Sequence, residues 1–213
     1  MNPNAPARAQ SHRRILLVDD NRAIHDDFRK ILGEGAGAGT DMAHAEASLF
    51  GESESKATAQ GFEIDSAMQG AEALELVKKA LGEGRPYAMA FVDMRMPPGW
   101  DGVTTIAKIW AVYPDLQVVI CTAYSDYSWD EMIAKIGQSD RLLILKKPFD
   151  VVEVLQLAHA LVAKWQLLQQ TRSQMHELED RIRARTRELE GANATLQKEI
   201  ADRNRMEIQL RCA

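Results

Sequence analysis

Five short apolar runs alternate with amphipathic segments through the first three quarters of the chain. Runs of this length with few polar interruptions are typical of strands buried on both faces of a parallel sheet. The second run alternates partly between apolar and polar residues, which favours a position at a sheet edge. The predicted strands are Arg14–Val18, Phe62–Ala67, Ala88–Val92, Gln117–Cys121 and Leu142–Leu145.

Between these runs, apolar residues recur at the spacing of one helix face. Regular alternation of strand and helix predicts an α/β domain in which helices cover both faces of a five-stranded parallel sheet. We place this doubly wound domain at residues 13–160. The helical stripes lie within Ile24–Leu32, Leu74–Leu81, Val103–Trp110 and Trp129–Ile136.

Two stretches interrupt the alternation. Residues 1–12 are rich in Asn, Pro, Ala and Ser, and we expect them to be disordered. Residues 33–60 form an inserted loop, far longer than the ~2–6 residues usual between a helix and a strand. Such a loop lies at the amino ends of the strands, whereas ligands of this fold bind at the carboxyl ends. We therefore interpret the insert as a mobile or partner-docking loop and not as an active-site lid.

Beyond Asp150 the pattern becomes one long helix with a seven-residue period. Apolar residues occupy seven of the eight positions that recur every seven residues from Leu161 to Leu210. This period predicts a left-handed dimeric coiled coil over residues 161–213. The positions three or four residues further on are mixed in polarity, so we expect a weak coil with an adjustable register. A single helix that never pairs is the alternative.

Composition narrows the possible functions. The chain has 213 residues, of which 46% are hydrophobic, and its 26 basic and 31 acidic residues leave a net charge of −5. This balance argues against a general nucleic-acid or membrane-surface binder. We find no run of 18 apolar residues and no signal-peptide pattern, and we expect a cytoplasmic protein. Cys121 and Cys212 are too far apart in sequence to suggest a disulfide framework or a zinc site.

Chemically distinctive residues stand where the predicted strands end. Asp19 and Asp20 end the first strand, Asp93 the third, Thr122 follows the fourth and Lys147 the fifth. The carboxyl ends of strands in such a sheet converge on one crevice. Three crowded carboxylates repel one another unless a cation intervenes, and Mg²⁺ suits such oxygen ligands. A lysine and a hydroxyl beside them favour an incoming phosphoryl group.

These motifs resemble the receiver domain of bacterial two-component response regulators, a CheY-like family. The resemblance covers roughly residues 13–160 and implies a flavodoxin/CheY-like sheet with strand order 2-1-3-4-5. The matching stretches are ILLVDDN from Ile15, AFVDMRMP from Ala90 with Asp101–Gly102, VVICTAY from Val118, and LKKPFD from Leu145.

The resemblance implies a role for each matching residue. Asp93 would accept a phosphoryl group from a sensor histidine kinase or a phosphotransfer protein. Asp19, Asp20 and Asp93 would bind Mg²⁺ together with the backbone carbonyl of Arg95. Lys147 would pair with the phosphoryl oxygens, and Thr122 would hydrogen-bond to them. The resemblance also implies a cis Lys147–Pro148 bond.

The sequence departs from the family pattern at two places. The segment MRMPPGWDG after Asp93 is one residue longer than usual, so the loop over the site should differ. Ile144 stands where the family often has Tyr or Phe, which leaves Tyr124 or Tyr127 as candidates for an aromatic switch residue.

The leading hypothesis is a phosphorylation switch that is not itself an enzyme and signals through a dimeric coiled coil. The stretch from Arg185 to Arg211 resembles linker helices that feed histidine-kinase or diguanylate-cyclase domains, and no such output domain follows in this chain. One alternative is a receiver-like scaffold that is never phosphorylated. Another is an enzyme of the same architecture: an FMN binder, although a phosphate-cradling loop is missing after the first strand, or a phosphatase.

Overall fold

The computed structural model describes residues 13–33, 61–123, 137 and 139–211. The predictions for residues 1–12, for the insert after Gly33 and for the helical stripe Trp129–Ile136 lie outside these residues.

Five parallel strands form one sheet in the order β2-β1-β3-β4-β5. The predicted fold class and strand order are therefore confirmed, and each predicted strand is found within one residue at either end. The partly polar second strand lies at a sheet edge, as its pattern indicated. The strands are β1 (Arg14–Val18), β2 (Glu63–Ala67), β3 (Met89–Asp93), β4 (Gln117–Thr122) and β5 (Leu142–Lys146).

Four helices occur in the described part of the chain, and they cover both faces of the sheet. α2 and α3 pack on one face, where Leu16 and Val18 of β1 point. α1 and the first part of α4 pack on the other face, where Ile15 and Leu17 point. Successive strand residues thus enter opposite cores, as the pleat requires. The helices are α1 (Arg22–Leu32), α2 (Gly70–Gly82), α3 (Gly102–Val112) and α4 (Val151–Arg211).

The chain divides into two compact units, Met1–Gln166 and Leu167–Ala213. The first unit contains the sheet and the beginning of α4. Apolar residues of α4 that recur at helical spacing are buried there, so Leu161, the first position of the seven-residue stripe, belongs to the sheet's core. The buried residues are Val154, Ala158, Leu161, Val162 and Trp165.

The second unit is helical, and the apolar stripe along it is exposed. Met175, Ile182 and Leu189 are 59%, 65% and 69% exposed. Charged residues beside the stripe form ion pairs within the helix, such as Arg181–Glu177 and Arg185–Glu188. The described part of this unit therefore presents an exposed apolar stripe among charged side chains.

One helix of the described residues, Val151–Lys198, is long and apolar enough in an 18-residue window to cross a membrane, with a mean hydropathy of 1.3. A helix packed in a protein core passes the same test of length and composition, and one face of α4 is buried against the sheet between Val154 and Trp165.

Candidate functional site

The turn after β1 places two carboxylates at the carboxyl edge of the sheet. Asp19 is only 2% exposed, and its amide donates to the carbonyl of Ala67 at 3.2 Å, which extends the pairing of β1 with β2. The amide of Asn21 donates to Asp19 Oδ1 at 2.8 Å. Asn21 in turn caps α1 by accepting a hydrogen bond from the Ala23 amide. Asp20, between them, is exposed.

Asp93 ends β3 beside this turn and is 9% exposed. The amide of Arg95 donates to Asp93 Oδ2 at 3.1 Å, which orients the carboxylate. The first turn of α3 packs closely against the end of the strand, because a Cβ atom at Gly102 would overlap the backbone carbonyl of Asp93. Asp101 caps this helix by accepting a hydrogen bond from the Thr104 amide at 2.7 Å. The Asp-Gly pair therefore joins β3 tightly to α3.

Lys147 follows β5 and reaches across the sheet edge. Its Nζ lies 2.9 Å from Asp19 Oδ2 and 2.7 Å from Asp93 Oδ1. Its amide donates to the carbonyl of Thr122 at 2.8 Å, and the Lys147–Pro148 bond is cis, as expected. One ammonium thus bridges a carboxylate of β1 and a carboxylate of β3.

Burial and the ion pair have opposite effects on the pKa values of Asp93 and Lys147. Burial raises the pKa of the Asp93 carboxyl above its ordinary value, although the Lys147 hydrogen bond lowers it. Burial lowers the pKa of the Lys147 ammonium, but the hydrogen bonds that it donates to Asp19 and Asp93 outweigh burial, and the net direction of the pKa shift is upward. We favour the charged pair, because the ammonium contacts two carboxylates at hydrogen-bond distance.

Thr122 ends β4, next to the bridge. The Thr122 hydroxyl donates to the carbonyl of Ala123 at 3.0 Å. Cys121, one residue earlier, is buried, and burial raises the pKa of its thiol. Cys121 therefore belongs to the core and is not a reactive group.

The three carboxylates fit a hard divalent cation. One oxygen of each of Asp19, Asp20 and Asp93 lies within 4.8 Å of the others. Asp19 and Asp93 are buried, where their repulsion is weakly screened, and oxygen ligands of this kind suit Mg²⁺. The Arg95 carbonyl, expected as a further ligand, follows Asp93 in the same loop and stays a prediction.

One buried polar group beside the site was missed from the sequence. His25, on α1, is 3% exposed, and its Nε2 lies 2.7 Å from the backbone oxygen of Asp19. Its signal in the sequence is a histidine at the spacing of the buried residues Phe28 and Leu32. Ile144, at the position of the expected aromatic residue, packs against the core on the α2–α3 face. Tyr124 and Tyr127 lie outside the described residues.

Comparison with known proteins finds relatives of this chain. The sequence profile of the response regulator receiver domain matches residues 48–159, a range that begins after the acidic turn at Asp19. Sporulation initiation phosphotransferase F of Bacillus subtilis is 30% identical over 95 residues, which are 45% of this chain and 69% of that protein. Photosynthetic apparatus regulatory protein RegA of Cereibacter sphaeroides is 34% identical over 109 residues. These are 51% of this chain, and the chain spans only 53% of the length of RegA.

Solved structures share the fold at lower identity. A CheY-like receiver domain protein from Methanospirillum hungatei superposes with a TM-score of 0.50 at 20% identity, covering 72% of this chain and 96% of the other. A structure described as adenylate cyclase from Rhodopirellula baltica gives a TM-score of 0.54 at 22% identity, with coverages of 76% and 96%. At these identities the likeness shows the fold alone.

Proposed function

The chain belongs to the response regulator receiver domain family of two-component systems, and from this premise we propose that it is a phosphorylation switch with Asp93 as the phosphoacceptor. The observation that carries the proposal is the convergence of three carboxylates within 4.8 Å at the sheet edge that Lys147 bridges. A buried carboxylate beside a fixed cation is suited to attack phosphorus, because the surrounding charges offset those of the phosphoryl group.

In the proposed reaction, a carboxylate oxygen of Asp93 forms a bond to phosphorus as the bond from phosphorus to the donor breaks. With a phosphohistidine donor, the imidazole nitrogen leaves with the electron pair of the broken bond. The Arg95 amide holds one Asp93 oxygen, and the Lys147 ammonium moves from the carboxylate to the phosphoryl oxygens. Mg²⁺ held by Asp19, Asp20, Asp93 and the Arg95 carbonyl would supply the remaining positive charge.

The proposed partners are a sensor histidine kinase or a phosphotransfer protein as donor, and a second copy of this chain. Thr122 would leave the Ala123 carbonyl to hydrogen-bond to the phosphoryl group, and this change would bias the segments after β4 between two arrangements. We place the protein in the cytoplasm. We assign no enzymatic turnover to this chain beyond its own phosphorylation.

We further propose that the second unit pairs with its counterpart in a dimeric coiled coil. The exposed stripe supports this, because Met175, Ile182 and Leu189 recur every seven residues, and contiguous apolar surface on a helix is stabilised by a partner. Phosphorylation would then change the packing or register of the coil.

The acceptor is tested by incubating the full chain with acetyl phosphate and Mg²⁺ and measuring its mass. We expect one added phosphoryl group on the wild type and none on Asp93→Asn, since the amide oxygen is a poor nucleophile. EDTA should also prevent the addition. A phosphoryl group that persists in Asp93→Asn would contradict the assignment.

The scaffold alternative is separated by beryllofluoride, a phosphoryl mimic, added with Mg²⁺. A phosphorylation switch should change its hydrogen-exchange pattern, whereas a scaffold that is never phosphorylated should not respond. Asp93→Asn provides the control, because it removes the carboxylate that coordinates the mimic.

A further inference from the structure

His25 is a polar side chain in a hydrophobic environment. It lies on the inward face of α1 with Phe28 and Leu32, and its Nδ1 is buried and has no hydrogen-bond partner among the described residues. A buried ring nitrogen without a partner costs free energy that a leucine or phenylalanine at this position would not. A histidine here is therefore not explained by packing alone.

The other ring nitrogen makes one short hydrogen bond. Nε2 lies 2.7 Å from the backbone oxygen of Asp19. A carbonyl oxygen can only accept, so Nε2 carries the hydrogen and donates it, which defines the tautomer of the ring. The bond links α1 to the peptide between Asp19 and Asp20.

This peptide directs both acidic side chains of the turn. Asp19 is also held through its amide by Ala67 and through its side chain by Asn21 and Lys147. No hydrogen bond or ion pair holds the Asp20 side chain among the described residues, so its direction depends on the backbone that precedes it. The His25 bond restrains that backbone on its carbonyl side.

We infer that His25 is a positioning residue for the divalent-cation site, because its Nε2–H fixes the Asp19–Asp20 peptide and thereby aims both carboxylates at the cation. The inference rests on the proposed function, since it assumes the Mg²⁺ site at Asp19, Asp20 and Asp93. Residues that hydrogen-bond to metal ligands, without contacting the metal themselves, commonly change metal affinity about 10–100-fold when they are removed.

The test is direct Mg²⁺ binding to the full chain by isothermal titration calorimetry, together with thermal unfolding in EDTA. His25→Leu removes the donor and should weaken Mg²⁺ binding by about 10-fold or more. His25→Gln places an amide N–H near the position of Nε2 and should restore most of the affinity. His25→Asn is equally polar but one methylene too short, and it should bind as weakly as His25→Leu.

Phe28→Leu is the matched control. Phe28 is buried on the same helix face and contacts the rings of Phe91 and Phe149, so this variant should lower the unfolding temperature without changing Mg²⁺ affinity. A merely structural role for His25 would make affinity follow the unfolding temperature across all four variants. If His25→Leu does not fold, the comparison of Gln with Asn decides the question.

The outcomes separate this inference from the proposed function. Equal Mg²⁺ affinity in wild type, His25→Gln and His25→Asn would overturn the role of His25 and leave the metal site intact. A wild type that neither binds Mg²⁺ nor accepts a phosphoryl group would overturn the proposed function itself.

Discussion

Lys147 contributes the positive charge that the crowded carboxylates need in the described structure. Its Nζ bridges Asp19 and Asp93, and both carboxylates are largely buried. Removing one partner of a buried ion pair leaves uncompensated charge and is strongly destabilising. The lysine and a bound divalent cation would therefore neutralise the same side chains.

Lys147→Met should lower the free energy of unfolding in EDTA by about 3 kcal/mol, the low end for a broken buried pair. Saturating Mg²⁺ should recover most of this loss, because the cation replaces the missing charge. Chemical denaturation with and without Mg²⁺ measures both quantities. Lys146→Met is the control, since it removes the same charge from an exposed neighbouring position. Equal losses in both variants would argue against the bridge.

The sequence predicts that the three acidic residues lie close together, but it does not predict which of them contacts the lysine. Asp19, Asp20 and Asp93 converge because each stands at the carboxyl end of a strand in a parallel sheet. That Lys147 contacts Asp19 and Asp93 depends on side-chain torsions that no spacing encodes. His25 was missed for a related reason, because its partner is a backbone carbonyl, which leaves no pattern in the sequence.

At the scale of elements, tight junctions between strands and helices position the site. Gly102 is the first residue of α3, and the absence of a side chain lets the helix approach the Asp93 carbonyl. The strands were predictable because each is an apolar run. The ends of the strands were harder to predict. β3 extends one residue further, to the polar Asp93, and β2 begins one residue later, at Glu63 instead of Phe62.

Gly102→Ala should destabilise the protein by about 1–3 kcal/mol, the usual cost of overpacking, and should weaken Mg²⁺ binding by shifting Asp93. Gly82→Ala is the matched control. Gly82 ends α2, and a Cβ atom added there would meet no other atom within 4 Å, so alanine should be neutral or stabilise by about 0.4–1 kcal/mol. Urea unfolding and calorimetry measure the two effects. A Gly102→Ala variant as stable as wild type would contradict the close packing of β3 and α3.

At the scale of the whole molecule, the apolar residues of α4 follow two different spacings, one in each compact unit. Up to Trp165, the buried residues of α4 follow the 3.6-residue spacing of a helix packed on a sheet. From Leu168 onward, the apolar residues follow the seven-residue spacing that favours a second helix of the same kind. The sequence predicted the seven-residue spacing, and the structure shows the other. Leu161 fits either spacing, and the first compact unit extends past it to Gln166.

The change of spacing supports the proposal that the second unit pairs with its counterpart. We expect the full chain to be a dimer by light scattering. Ile182→Lys with Leu189→Lys should make it a monomer, because both substitutions bury charge in the apolar stripe. Ala184→Lys with Ala194→Lys adds the same charge at exposed positions away from the stripe and should leave a dimer.

A chain ending at Gln166 should also be monomeric. If that shorter chain remains dimeric, the interface lies on the sheet-containing unit, and phosphorylation at Asp93 would act on assembly without the coil.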